Sequence, residues 1–132
     1  MAGSTIVLVS EQMKRLNISL EQRKSGEARV TVLLAGGFVD VSTEDEFSTR
    51  MDKGVQQVLE GHSAALILSL KDLSYINSTG LAVVVDANRQ LAERLALASV
   101  PDSIVQIAKL LGLDGHLNIF DTVDEAVNDF LE

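Results

Sequence analysis

The chain reads AALILSLKDLSYINSTGLAVVVDANRQL from residue 64 to residue 91, and this stretch decides the fold. Its first part, Ala64–Leu70, is a nearly continuous apolar run with the length of a buried strand. A short linker, predicted over Lys71–Ile76, leads to the polar turn Asn77-Ser78-Thr79-Gly80. The turn opens a helix whose predicted inner face consists of Leu81, Val84, Val85, Asn88 and Leu91. A buried strand followed by a turn and an amphipathic helix is typical of a parallel α/β sheet.

Upstream of this unit, the pattern predicts a β-hairpin and a helix. Leu16–Leu20 alternates with period two and Arg29–Phe38 is rich in Val and Leu, with the polar turn Arg23–Glu27 between them. Thr43-Glu44-Asp45-Glu46 then has the capping-box pattern of a helix start. That helix is expected to bury Phe47, Met51, Val55 and Val58, with Leu59 beside them.

Downstream, the strand and helix signals alternate. Leu95–Val100 and Leu117–Phe120 are predicted strands, Pro101-Asp102-Ser103 is a helix start, and Thr122-Val123-Asp124-Glu125 is a second capping box. The helix after Pro101 is expected to turn inward Ile104, Ile107, Ala108 and Leu111. The sequence therefore predicts one α/β domain over residues 13–132, with a mostly parallel central sheet begun by the hairpin and about four helices packed on it. Residues 1–12 have no period and are predicted to be an N-terminal extension.

Composition excludes several functional classes. The 132 residues contain no Cys, so a disulfide framework and thiol catalysis are both ruled out. The 19 acidic and 11 basic residues give a net charge of −8, which disfavours nucleic acid and anionic membranes as partners. The apolar runs are also too short to span a bilayer. We therefore expect a cytoplasmic protein, and we take it to be a monomer.

The residues offer no arrangement for catalysis. A nucleophilic serine would need a base within hydrogen-bond reach, but His62 and His116 each precede a strand and are expected at the far edge of the sheet. Paired His or Cys ligands, calcium-loop spacing and a glycine-rich phosphate loop are all missing from the sequence. We therefore predict that the protein is not an enzyme and uses no metal or cofactor.

The carboxyl ends of parallel strands meet at one edge of a sheet, where open α/β folds place their sites. That edge is predicted to carry residues 40–43, 77–80, 99–103 and 121–124. Ser78 lies there at a helix start, where unpaired N–H groups and the helix dipole favour a phosphate. Ser78 is therefore a candidate phosphorylation site, and the competing interpretation is an ordinary N-cap hydroxyl.

Three segments of the chain resemble the STAS domain, the family of anti-sigma factor antagonists. The first runs from Leu66 to Leu81 and includes the turn at Ser78; the second comprises residues 97–101 and 107–113, and the third residues 119–126. In this order they cover nearly the whole chain after Met13. The chain has Asn77 and Ser69 where the family usually or often has Asp.

The resemblance implies a phosphorylation-switched binding module. In such proteins the unphosphorylated form binds an anti-sigma factor, often a serine-protein kinase with an ATP-binding fold, and thereby frees the sigma factor. The kinase would phosphorylate Ser78, and a PP2C-type phosphatase would reverse the reaction. The residues expected at the partner-binding surface are Asp40, Thr43, Asn77, Ser78, Thr79, Gly80 and Leu81.

A second interpretation stays open from the sequence alone. The chain is then a STAS module without the phosphorylation switch, serving as an accessory or scaffold subunit of a transporter or signalling assembly. Asn77 in place of the family's Asp favours this alternative.

Overall fold

The computed structural model describes residues 14–112 and 117–131, which form one mixed sheet covered by helices. The strands lie in the order β1-β2-β3-β4-β5, and their bounds are Leu16–Ser25, Ala28–Val39, Leu66–Ile76, Leu95–Ala98 and Ile119–Phe120. Within these residues the α-helices are α1 Glu44–Leu59, α2 Ser78–Leu91, α3 Asp102–Leu110 and α4 Val123–Leu131. β1 pairs antiparallel with β2, and the remaining pairs are parallel. The predicted hairpin, the mostly parallel sheet and the α/β class are confirmed.

The sheet has a hydrophobic core on each face. The larger core packs α1, α2 and α3 against alternate residues of β3, including Leu66 and Leu68. The smaller core packs α4 against the other face, where Ile67 meets Ala126 and Val127. Because β3 is buried on both faces over residues 66–70, it has the nearly continuous apolar sequence from which a central strand was predicted.

The prediction of a linker over Lys71–Ile76 is wrong, because β3 continues to Ile76. Residues 72–76 pair with the end of β2, but register shifts occur between Leu34 and Gly36 and between Gly37 and Phe38. These irregularities break the alternation of buried and exposed positions, so the sequence loses the signal of a strand there.

Other predicted boundaries also need correction. β1 continues to Ser25, so the hairpin turn is shorter than predicted; β4 ends at Ala98 and β5 spans only Ile119–Phe120. Leu59 and Leu111, predicted on inner faces, are 46% and 56% exposed. The predictions for His116 and for the extension over residues 1–12 fall outside the described residues.

The two capping boxes have different outcomes. The Thr43 hydroxyl accepts a hydrogen bond from the Asp40 N–H at 2.9 Å and donates to the Phe38 carbonyl at 2.8 Å. It therefore ties the start of α1 to the end of β2 and does not cap the helix, so that prediction is wrong. Thr122 does accept a hydrogen bond from the Glu125 N–H, at 3.1 Å, as its capping pattern predicted.

Candidate partner-binding site

Ser78 is the first residue of α2, and it is exposed at the carboxyl edge of the sheet. The residue that caps the helix is Asn77, whose Oδ1 accepts a hydrogen bond from the Gly80 N–H at 2.9 Å. No described residue forms a hydrogen bond with the Ser78 hydroxyl. The interpretation of Ser78 as the N-cap is therefore wrong, and its hydroxyl is accessible to a second protein.

Asn77 joins three elements at this point. Its backbone N–H donates to the Val39 carbonyl at 2.9 Å, at the end of β2. Its side-chain Nδ2 donates to Glu44 Oε2 at 3.0 Å, at the start of α1. With the cap on Gly80, these bonds fix the backbone beside Ser78 relative to both β2 and α1.

Gly80 lets the first turn of α2 lie directly on the ends of two strands. A Cβ at this position would lie 2.7 Å from Val39 Cγ1 and 2.7 Å from Ile76 Cγ1, which is closer than real Cβ contacts. Leu81 follows with 8% exposure and belongs to the larger core. Gly80 and Leu81 were predicted at the partner-binding surface, and the structure places both beneath it, where they position Ser78 and Thr79.

Asp40 organises the loop between β2 and α1. Its Oδ1 accepts hydrogen bonds from the Ser42 hydroxyl at 2.6 Å and the Ser42 N–H at 2.9 Å, and its Oδ2 accepts one from Arg15 Nε at 2.7 Å. The Ser42 hydroxyl and the Arg15 guanidinium favour the charged form and lower the pKa of Asp40 from 3.8 to about 2. Thr43, in the same loop, is 8% exposed. Asp40 is therefore a carboxylate held in place at this edge and paired with Arg15, while Thr43 supports the loop from below.

Three apolar side chains at this edge were missed by the sequence analysis. Val41 is 84% exposed, Tyr75 is 48% exposed and Phe38 is 38% exposed. Phe38 and Tyr75 are partners across the β2–β3 register, and the Arg15 guanidinium carbon lies 4.6 Å from the centre of the Phe38 ring. Each of these two rings directly precedes a buried apolar residue at a strand end, but the register shifts nearby break the alternation, so the sequence contains no clear signal for their exposure. Exposed apolar groups at this edge of the sheet fit a surface that another protein covers.

The four predicted loops do follow four neighbouring strands, and contacts connect them in two pairs. The loops after β2 and β3 are joined through Asn77, as described above. The loops after β4 and β5 are joined by Ser99, whose Oγ donates to the Asp121 carbonyl at 3.2 Å. His62 follows α1 and precedes β3, so it lies at the opposite edge, as predicted.

Among the described residues, no three His, Cys, Asp or Glu side chains are grouped so that they could hold a metal ion. No α-helix in the described ranges has the length and hydropathy needed to cross a membrane.

Comparison with known proteins identifies the family. A model of the STAS domain matches residues 18–126. The chain belongs to the STAS domain family. An anti-sigma F factor antagonist of Paenibacillus polymyxa is 26% identical over 117 residues, covering 89% of this chain and 94% of that protein. An anti-sigma-B factor antagonist of Listeria monocytogenes is 30% identical over 107 residues, covering 79% of this chain and 90% of that protein.

Solved structures confirm the STAS fold. An anti-sigma factor antagonist from Mycobacterium paratuberculosis superposes with a TM-score of 0.71 at 18% identity, covering 88% of this chain and 96% of the other. SpoIIAA in its unphosphorylated form superposes with a TM-score of 0.63 at 17% identity, covering 84% of this chain and 95% of that protein. The Bacillus cell fate determinant SpoIIAA in its phosphorylated form superposes with a TM-score of 0.62 at 19% identity, covering 86% of this chain and 98% of that protein.

Proposed function

We propose that this STAS domain is an anti-sigma factor antagonist whose binding is switched by phosphorylation of Ser78. The observation that carries the proposal is the Ser78 hydroxyl, which is exposed at the first position of α2 while Asn77 does the capping. The curated relatives named anti-sigma factor antagonists support the binding role. A STAS-fold protein, SpoIIAA, has been solved in phosphorylated and unphosphorylated forms, which supports the switch.

The free protein can carry the phosphate at low cost. Ser78 is the N1 residue of α2, so the phosphate oxygens would lie close to the unpaired N–H groups of the first turn and the positive end of the helix dipole. The first turn of α2 contains no acidic side chain that would compete for these N–H groups. Phosphorylation is therefore compatible with an intact domain.

The same phosphate is costly inside an interface. It adds a charge of about −1.5 to −2 to a surface that already carries the carboxylates of Asp40 and Glu44. A partner packed over Ser78 would have to desolvate this group, and Arg15, a described cation at this edge, is already paired with Asp40. The unphosphorylated form therefore binds the anti-sigma factor, and the phosphorylated form releases it.

The partner is an anti-sigma factor with serine-protein kinase activity, and a PP2C-type phosphatase restores the hydroxyl. The domain itself is a substrate and a binding module that catalyses no reaction, and it acts in the cytoplasm as a monomer. Its contact surface comprises Ser78 and Thr79 with the neighbouring Asp40 and Asn77, and Thr43, Gly80 and Leu81 hold that surface in place.

The test uses two variants, Ser78→Ala and Ser78→Asp, immobilised and exposed to lysate of the source cells. The Ala form should retain an ATP-dependent kinase, to be identified by mass spectrometry, and the Asp form should not. With that kinase and ATP, the intact mass of the wild type should gain one phosphate, as should that of the matched control Thr79→Ala. Equal retention by both Ser78 variants, or a phosphate gained by Ser78→Ala, would contradict the proposal.

A second candidate is the accessory or scaffold subunit without a switch, which Asn77 in place of the family's Asp favours. In that case the two Ser78 variants should retain the same proteins from the lysate, and none of these should transfer phosphate to the chain.

A further inference from the structure

A groove between α1 and α2 begins beside Ser78, and the switch does not account for it. Its cavity volume is about 240 Å³. Thr79, next to the phosphorylation site, lines the groove, and so does Gln90 near the other end of α2. At a rise of 1.5 Å per residue, the groove follows the helix for about 16 Å.

Small side chains keep the groove open, and apolar side chains form its floor. Met51 and Val55 of α1 line it and are 1% and 2% exposed, so they form its base. Ala82 of α2 is exposed along its wall, where a longer side chain would fill it. The groove thus has a buried apolar base and largely polar sides, and its shape between two helices suits a third helix.

The charged side chains that line the groove are both acidic. Asp52 and Asp86 are exposed and line its two sides, and none of the described residues that line it is Lys or Arg. Gln90 Nε2 donates to Asp86 Oδ2 at 3.0 Å and so holds this carboxylate at the rim. An apolar floor between two carboxylates is complementary to long side chains that have an apolar stem and a positive end.

We propose that the α1–α2 groove receives a basic amphipathic helix of the anti-sigma factor. Apolar side chains of that helix would pack against the exposed Ala82, above the base formed by Met51 and Val55, and its Lys or Arg side chains would pair with Asp52 and Asp86. This inference rests on the proposed function and extends the contact surface from Ser78 along α2. The groove contributes affinity and association rate, whereas Ser78 sets whether the partner can close over the helix start.

The test measures binding of the recombinant kinase identified with the Ser78→Ala variant. The double variant Asp52→Lys/Asp86→Lys should weaken binding by at least about tenfold, mainly through a slower association rate, and should reduce its dependence on salt. The matched control is Glu27→Lys/Asp129→Lys, which makes the same change in net charge at two exposed positions away from the groove. It should bind within about twofold of the wild type.

A second pair of variants leaves the charge unchanged. Ala82→Trp fills the groove and should weaken binding by about tenfold, whereas Ala64→Trp, exposed at the opposite edge of the sheet, should not. Thermal unfolding of each variant confirms that it is folded.

The possible results separate the two proposals. If both charge-reversal variants weaken binding equally, or if the groove variants bind like the wild type while Ser78→Asp does not bind, the groove assignment is wrong and the switch stands. If Ser78→Asp binds as tightly as the wild type, the proposed function itself is wrong.

Discussion

Gly80 determines at the residue scale how close α2 comes to the sheet. Helix propensity alone would make Gly80→Ala stabilising by about 1 kcal/mol. We expect the opposite, a loss of about 1–3 kcal/mol in the free energy of unfolding, because the new Cβ would lie 2.7 Å from Val39 Cγ1 and Ile76 Cγ1. Urea unfolding measures the sign of the change.

The control for Gly80→Ala is the same substitution in a Val39→Ala background. Removing the Val39 methyl groups relieves one of the two close approaches and leaves the one to Ile76 Cγ1, so the cost of Gly80→Ala should fall in part in the double-mutant cycle. An unchanged cost in that background would show that the approach to Val39 does not contribute to it.

At Asn77, the side-chain Nδ2 determines how a substitution changes the stability of the domain. Asn77→Asp restores the residue that the family usually has and keeps the N-cap oxygen. Here, however, it replaces the Nδ2 donor by an oxygen that faces Glu44 Oε2, where the present contact is 3.0 Å. We expect a loss of about 1 kcal/mol in the free energy of unfolding at pH 7, measured in urea.

Glu44→Gln should recover that loss in the Asn77→Asp background, because its side-chain amide can donate to the new carboxylate. A stability of Asn77→Asp equal to or above that of the wild type would mean that Asn77 is not adapted to Glu44.

At the residue scale the sequence also has a clear limit. Asn, Ser and Thr are all good N-cap residues, so the turn Asn77-Ser78-Thr79-Gly80 predicts a capped helix without telling which residue caps it. Only the position of Gly80 N–H near Asn77 Oδ1 settles this. The exposure of the Ser78 hydroxyl depends on that choice.

At the scale of elements, the loop after β2 is held by the charge of Asp40. Its pKa is lowered to about 2 in the folded protein, so its stabilising effect is present above the ordinary value of 3.8 and is lost as the pH falls toward 2. The stability difference between the wild type and Asp40→Asn should therefore be constant near neutral pH and shrink between about pH 4 and pH 2.

Urea midpoints at pH 7, 5, 4, 3 and 2 measure this difference for Asp40→Asn. Ser42→Ala removes the hydroxyl that lowers the pKa most and should make the pH dependence weaker. A difference that stays constant from pH 5 to pH 2 would contradict the assigned role of Asp40.

Helices and strands with a regular apolar pattern could be predicted from the sequence, and irregular segments could not. The buried core of β3 and the helices on it follow from apolar runs and 3.6-residue spacing. The last residues of β3 could not be predicted, because the register shifts around Gly36 and Gly37 remove the period-two pattern. Thr43 was assigned as a cap by its spacing, but tertiary contacts with Phe38 and Asp40 use its hydroxyl instead.

At the scale of the whole molecule, we expect the proposed switch and the stability of the fold to be separable. Ser78→Asp places a carboxylate at N1 of α2, whose first turn has no acidic residue, so the helix dipole favours it. We expect the free energy of unfolding to stay equal to that of the wild type or to rise by up to about 1 kcal/mol. Thermal and urea unfolding measure this.

Ser78→Lys is the matched control for this prediction and should lower the stability by a similar amount. If Ser78→Asp unfolds the domain, loss of partner binding by that variant would report on folding and not on the switch.

The bonds that Asn77 makes to Val39, Glu44 and Gly80 have a consequence for a kinase that acts on Ser78 as we propose. The acceptor residue is held in one backbone conformation by segments far apart in sequence, so a short synthetic peptide with the same residues does not reproduce it. Such a kinase would read three-dimensional shape, and we expect it to discriminate a native domain from a linear copy of its own target.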